Sequence, residues 1–429
     1  MTAVRQAESF LLAAALLLPA LAFAADPLPR ARPESVGVSS QRLQHIGNVF
    51  KRDIAAGRLP GAVIAIARKG KLVYYETFGY MDPEAKTPMP KDAIFAPASM
   101  EKPMITTIVM QLLEEGRLVM ADPVEKYLPQ LGKRQVAVMG KDASGKPVMT
   151  MQPAKGSITI QDLLRHTAGI TYGRRGDTPV HKMYPISSNW AAENLTGAQF
   201  LETLGKLPLF YEPGTKWDYS LSFDVLGLMI EAIEKKPLGE VMQQRLFGPL
   251  KMTDTAFVIS AEKAHRYARP LSKDPDTGRD IRIRDVREKP KFDCGGGCAS
   301  FTAADYLRFA QMLANGGSLD GVRIISRKSV EYMTSNQLGP EVDVSELRDF
   351  NNLAGYGMGL GVAVRLGNGV SPMMGTTGDY NWGGANGTYF WVDPKEQLVV
   401  VYMAHTPGQP RLHYRQVITT LALQALTGQ

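Results

Sequence analysis

Between Val38 and Gly61 the apolar residues Leu43, Ile46, Val49, Phe50 and Ile54 recur three and four apart behind Ser39 and Ser40. That spacing predicts an amphipathic helix capped by one of the two serines and stopped by a glycine. "GAVIAIARKGKLVYYETFGYMD" follows and reads as two strands joined at Lys69-Gly70, and near the C-terminus "GTYFWVDPKEQLVVVYMAH" repeats the pattern around Asp393-Pro394. The segment "RLHYRQVITTLALQAL" closes the chain as a helix, and two more helical stripes lie between, through Ile105, Ile108, Val109, Leu112 and Leu113 and through Phe223, Leu226, Met229 and Ile230. Strands at both ends and helices in the middle predict an α+β fold. Its antiparallel sheet, built from residues 38–90 and 340–429, is flanked by terminal helices and interrupted by a helical insertion over 91–339. A site is expected where the two parts meet.

The first residues stand apart from this pattern. "FLLAAALLLPALAFA" is an apolar run ending in Ala22-Phe23-Ala24, the small-x-small arrangement of a cleaved signal peptide, so residues 1–24 are expected to leave and the mature domain, 25–429, to be exported to the periplasm or medium. A retained anchor helix is the alternative. No later run reaches the roughly 18 uninterrupted apolar residues that a spanning helix needs. The remainder is ordinary globular composition, 44% hydrophobic and 21% charged. The net charge of +7 is spread among acidic residues, as in "KDPDTGRDIRIRDVREKPKFD", which reads as a solvated loop rather than a nucleic-acid stripe. The two cysteines, Cys294 and Cys298 in "DCGGGCAS", have no Cys or His nearby to complete a zinc site. A disulfide across three glycines and a pair of free thiols both remain open.

Candidate chemistry enters at "FAPASMEKPMITTIVMQLLEEGRL". Ser99 and Lys102 stand three apart at the start of a helical stripe, with Pro103 tolerable only in a first turn. Residues i and i+3 share a helix face, so the amine can reach the hydroxyl. A serine needs a neighbouring base, and lysine can be that base once burial and the positive helix N-terminus lower its pKa. Taken alone, a serine at a helix start is ordinarily a cap. Two further segments add to it. In "EPGTKWDYSLSFDVLGLMIEAI", Tyr219 sits on a loop ahead of a helix, where a lysine cation would favour its phenolate as a base. In "YNWGGANGTYFWVDP", Trp382-Gly383-Gly384 opens a strand-like run, and glycine there suits an edge strand whose N–H groups face an acyl oxygen.

Together the three segments resemble the Ser-x-x-Lys serine hydrolases, which include class C β-lactamases, DD-peptidases and, most similar, the family VIII carboxylesterases. The likeness extends through "LLRHTAGITYG", "GGGCASFTAADYLRFAQMLANGG" and "GGANGTYFWVDP". It implies the β-lactamase/penicillin-binding-protein fold, with Ser99 as nucleophile, Lys102 as its partner and Tyr219 as second base. It also implies an oxyanion hole from the backbone N–H groups of Ser99 and Ala385, and substrate binding along Trp382, Gly383 and Gly384. The sequence departs from class C enzymes in two places. Tyr219-Ser220-Leu221 stands for Tyr-x-Asn, and Trp382-Gly383-Gly384 for Lys-Thr-Gly. The resemblance therefore implies hydrolysis of neutral short-chain or aromatic esters through an acyl-enzyme on Ser99, with weak β-lactam hydrolysis as a side activity, a β-lactamase or D-amino-acid peptidase as the alternative and an inactive envelope protein as a third reading.

Other chemistries find no support. There is no Gly-x-Ser-x-Gly, no His-Glu-x-x-His and no phosphate loop, so no cofactor or metal is expected. His166 is expected to brace the loop after "IQDLLRH", and His405 to be structural.

Overall fold

The computed structural model describes residues 26–428, and the expected signal segment lies outside the described residues. Helix α1 (Ser40–Ala55) is capped by the Ser39 hydroxyl, which accepts from the Arg42 N–H. It precedes strands β1 (Gly61–Arg68), β2 (Lys71–Asp82) and the short β3 (Thr87–Pro88). The intervening residues carry helices α2 (Lys102–Glu114), α3 (Ser222–Glu234) and α4 (Ala303–Ala314) among shorter ones. Strands β4 (Tyr356–Met358), β5 (Ala363–Arg365), β6 (Tyr380–Gly383), β7 (Tyr389–Asp393) and β8 (Leu398–Met403) complete the sheet, and α5 (Pro410–Leu423) follows.

The eight strands run β3-β2-β1-β8-β7-β6-β5-β4 in one antiparallel sheet. First and last strands pair at its centre, with Val63 opposite Met403 and Arg68 opposite Leu398. Every residue of β1 is buried, because both faces are covered. Alternation divides them: Val63, Ala65 and Ala67 face the core shared with α2 and α4, whereas Ala62, Ile64 and Ile66 face the core beneath α1 and α5. In that second core the Phe50 ring of α1 meets Tyr402 of β8 and Tyr414 of α5, each at 5.6 Å. The sheet is thus a fixed platform whose helical side carries the site.

Two expectations need correction. Strand β6 is not an edge strand, for it lies between β7 and β5; yet β5 pairs only with Tyr380 and Asn381, so Trp382 and Gly383 have no partner on that side. The intervening region also holds a hairpin, Gln135–Lys141 with Pro147–Pro153, that helical periodicity did not indicate.

Candidate active site

The turn carrying Ser99 is built from several directions. Phe95 exchanges both backbone hydrogen bonds with Phe301, at 3.1 and 3.2 Å, and Ala98 then takes a left-handed φ of 54°, a conformation that costs a non-glycine residue on the order of 1 kcal/mol. Ser99 follows in a 3₁₀ turn, Ala98–Glu101, that runs into α2. The expected single α-helical turn is therefore tighter than its sequence suggests, and in a 3₁₀ turn side chains three apart eclipse. Lys102 Nζ accordingly donates to Ser99 Oγ at 3.3 Å. From α4, Tyr306 donates its hydroxyl to the Met100 carbonyl and pins the turn to the sheet side.

Lys102 is wholly buried. Its Nζ also donates to the Gly296 carbonyl at 2.5 Å, and it lies 4.9 Å from the centre of the Tyr219 ring and 5.6 Å from that of Phe223. Burial pulls the lysine pKa down, but Tyr172, Tyr219 and Asp224 outweigh it and hold the ammonium above the ordinary lysine range. The expectation of a lysine lowered by burial into a free base is thereby corrected. The site instead offers a fixed positive charge beside the serine, ready for whichever oxygen becomes negative.

Groups that periodicity could not reveal surround this charge. Asp224, on the first turn of α3, is fully buried, and burial pushes its carboxyl up to about 6 against the pull of Lys102. One of its oxygens accepts from the Gly296 N–H at 3.1 Å and the other from the Ser188 hydroxyl at 2.7 Å. Ser188 Oγ in turn lies 2.9 Å from the Tyr172 hydroxyl. Burial pushes Tyr172 up to about 12, although Lys102 opposes this. Glu101 is also buried and pushed up to about 8, with one oxygen accepting from the Ala299 N–H at 2.8 Å.

The turn after β6 is drawn against the serine turn. Asn386 donates to the Ala96 carbonyl at 2.7 Å and Thr388 to the Pro97 carbonyl at 2.9 Å. Behind them the buried Arg415 of α5 donates to the Gly384 carbonyl at 2.6 Å. A planar trans peptide directs its C=O and N–H oppositely, so fixing the Gly384 carbonyl on the Arg415 side turns the Ala385 N–H away from it. Among the described residues no other protein group takes up the N–H of Ser99 or of Ala385. Both residues line a cleft of about 640 Å³ that also exposes Tyr172, Ser188, Trp190, Arg282 and Gly296.

Placement of the remaining expected residues is mixed. Tyr219 does not line that cleft. It is buried behind Lys102 between His166 at 4.6 Å, Phe350 at 4.7 Å and Trp382 at 5.6 Å, with no hydrogen bond to its hydroxyl. Trp382 packs behind Tyr219 and Gly383 lies against Arg415, so the cleft wall begins only at Ala385. His166 braces Tyr219, with Nδ1 3.3 Å from the Ser220 hydroxyl, and burial lowers its pKa well below the usual histidine value. His405 commits both nitrogens, accepting from the Ala96 N–H and donating to the Ala268 carbonyl. The charged loop of residues 273–293 is a cleft wall as well as a solvated segment, since Arg282, Arg284 and Glu288 line the opening. Cys294 and Cys298 form a disulfide. Among the described residues no cluster of three His, Cys, Asp or Glu side chains is placed to hold a metal, and no helix is long and apolar enough to cross a membrane.

Gly384 offers a direct check of this packing. A Cβ there would stand 1.7 Å from the Pro97 carbonyl oxygen, backbone that cannot turn aside. Gly384→Ala should push the two turns apart and displace the Ala385 N–H; if that N–H is the oxyanion donor that the resemblance implies, kcat falls by about 100-fold. Steady-state kinetics on a p-nitrophenyl ester would show it; an alanine variant at full activity would contradict the close approach.

Comparison with known proteins bears on the fold and the family. Protein Rv1367c of Mycobacterium tuberculosis is 36% identical over 358 residues, spanning 82% of this chain and 87% of that protein. Esterase EstB of Burkholderia gladioli is 28% identical over 368 residues, 83% of this chain and 89% of the esterase. Among solved structures, that of EstCE1, a hydrolase with promiscuous acyltransferase activity, superposes with a TM-score of 0.73 at 26% identity, covering 91% of this chain and 99% of the other. The family model described as Beta-lactamase matches residues 46–423. With nearly the whole described fold inside that match, the chain belongs to the β-lactamase family, of serine hydrolase fold.

Proposed function

We propose that the protein hydrolyses short-chain or aromatic carboxylic esters through an acyl-enzyme on Ser99. The observation that carries this reading is the Ser99 hydroxyl at the cleft, hydrogen-bonded to a buried lysine charge. Ser99 Oγ attacks the ester carbonyl carbon while its proton passes to the Lys102–Tyr219 pair, whose phenolate oxygen takes it up while the Lys102 ammonium stays charged. The carbonyl oxygen becomes an oxyanion held by the N–H groups of Ser99 and Ala385. Collapse expels the alcohol, which takes up that proton, and water repeats the sequence to release the acid. Relatives named as an esterase and as a hydrolase with acyltransferase activity support the broader class, acyl transfer from an ester.

The preference for neutral esters rests on what stands in the two altered motifs. Trp382 is buried against Tyr219 and Phe350, and Leu221 is buried in the core, so neither offers a donor to a substrate carboxylate or acylamino group. A charge-assisted contact is worth roughly 1.5–3 kcal/mol, so its lack lowers lactam turnover by an order of magnitude or more. We expect kcat/KM for p-nitrophenyl butyrate to exceed that for a chromogenic cephalosporin by at least about tenfold. Equal or reversed values would favour a β-lactamase or a D-amino-acid peptidase.

A further inference from the structure

The segment Cys294-Gly295-Gly296-Gly297-Cys298 is in close contact at every glycine with residues that surround Lys102. A Cβ on Gly295 would meet the Phe223 carbonyl at 2.3 Å, on Gly296 the Ser188 hydroxyl at 2.2 Å, and on Gly297 the Ala98 carbonyl carbon at 2.8 Å. No side chain fits: Gly295 and Gly297 lie against backbone, and Gly296 against the hydrogen-bonded Ser188 and Asp224 side chains. Gly296 contributes both of its polar groups: its carbonyl accepts from Lys102 Nζ at 2.5 Å and its N–H donates to Asp224 at 3.1 Å. Immediately after the ring, the Ala299 N–H donates to Glu101, the neighbour of Lys102. Three consecutive glycines have more conformational freedom to lose than any other tripeptide, and left open they would hold that carbonyl poorly. The disulfide between Cys294 and Cys298 closes the chain around these three residues, and both cysteines are buried.

We propose that this five-residue disulfide ring is the positioning element for Lys102, so that the enzyme acylates at full rate only when Cys294 and Cys298 are oxidised. The inference rests on the proposed function and adds a redox condition to it. Reduction needs a dithiol: one thiolate attacks a sulfur of the ring to give a mixed disulfide, and the second thiol displaces it. The protein gains two electrons and two protons as two cysteine thiols, and the dithiol leaves as a cyclic disulfide. The glycines are then free to move, and the Lys102 ammonium loses a fixed acceptor. Misplacing a catalytic group by about 1 Å costs up to 100-fold in rate. The expected signature is a fall in kcat of roughly 10- to 100-fold with KM within about twofold.

The test measures the rate at which a fluorophosphonate labels Ser99 in the oxidised protein, and in protein reduced with dithiothreitol and desalted without air. The same rate is taken after reoxidation with oxidised glutathione and in the Cys294→Ala/Cys298→Ala double variant. Circular dichroism follows folding throughout. Labelling that slows about 10- to 100-fold in the reduced protein and the folded variant, and recovers on reoxidation, is the expected result. Equal labelling of oxidised and reduced forms would overturn the ring's role and leave the esterase reading intact. Loss of folded structure in both reduced protein and variant would overturn it too, making the disulfide a staple of the fold. An oxidised protein that takes no label would overturn the proposed function itself.

Discussion

Ser99→Ala should lower kcat for a p-nitrophenyl ester by about four orders of magnitude, because among the described residues no other hydroxyl at the cleft stands in hydrogen-bond contact with the buried lysine. What survives would come from the backbone N–H groups of residues 99 and 385, which the substitution leaves in place. The fold should be indifferent to the change. Lys102 keeps its bond to the Gly296 carbonyl, the turn keeps its clamps from Tyr306 and Thr388, and alanine is smaller than serine. Thermal unfolding within a few degrees of the parent would therefore accompany the lost activity. A folded variant with near-parental kcat would assign the nucleophile to another residue.

Lys102→Met and Tyr219→Phe should each lower kcat by about 10²- to 10⁴-fold, the range expected for a proton-transfer group, and the double variant should be little worse than the poorer single one. The reason is their contact: the Lys102 ammonium lies 4.9 Å from the centre of the Tyr219 ring, and Tyr219 helps hold the charge on Lys102. Groups acting as one unit lose function non-additively, since removing either already disables the transfer. The chosen substitutions preserve shape. Methionine fills the buried lysine channel without a charge, and phenylalanine keeps the ring packed between His166, Phe350 and Trp382. Tyr172→Phe belongs in the same series, because its hydroxyl reaches Asp224 through Ser188 and its ring faces the cleft. Kinetics of the singles and doubles would decide: losses that multiply for Lys102 and Tyr219 would mean separate steps and no shared proton.

Much of the architecture was legible in the chain because its central elements obey simple periods. The all-buried β1 and β8, the turns at Lys69-Gly70 and Asp393-Pro394, and the amphipathic α1 carry strong local signals. The short strands β4 and β5 did not. Three residues are too few to show alternation, and Tyr356-Gly357-Met358 gains its strand from β5 rather than from its own composition. At the site, the Ser99 and Lys102 pair was visible as a spacing, and the geometry brings the two together. The charge state of that pair was not visible, because it depends on Asp224, Tyr172 and Tyr219, which come from distant segments. Arg415 was equally hidden: a basic residue in a C-terminal helical stripe gives no sign that it holds the peptide ahead of Ala385. The run of glycines between Cys294 and Cys298 was conspicuous, yet its reason lies in contacts with Phe223, Ser188 and Ala98 that only the folded chain supplies.

The central claim is that an ester's acyl group passes onto Ser99. Its most direct test is mass spectrometry of peptides from protein quenched in acid within the first turnovers on a p-nitrophenyl ester. The account predicts one added acyl mass, on the peptide containing Ser99, appearing with the burst of p-nitrophenol and absent from the Ser99→Ala protein. Acyl mass on a different residue, or steady ester hydrolysis with Ser99 never acylated, would contradict it.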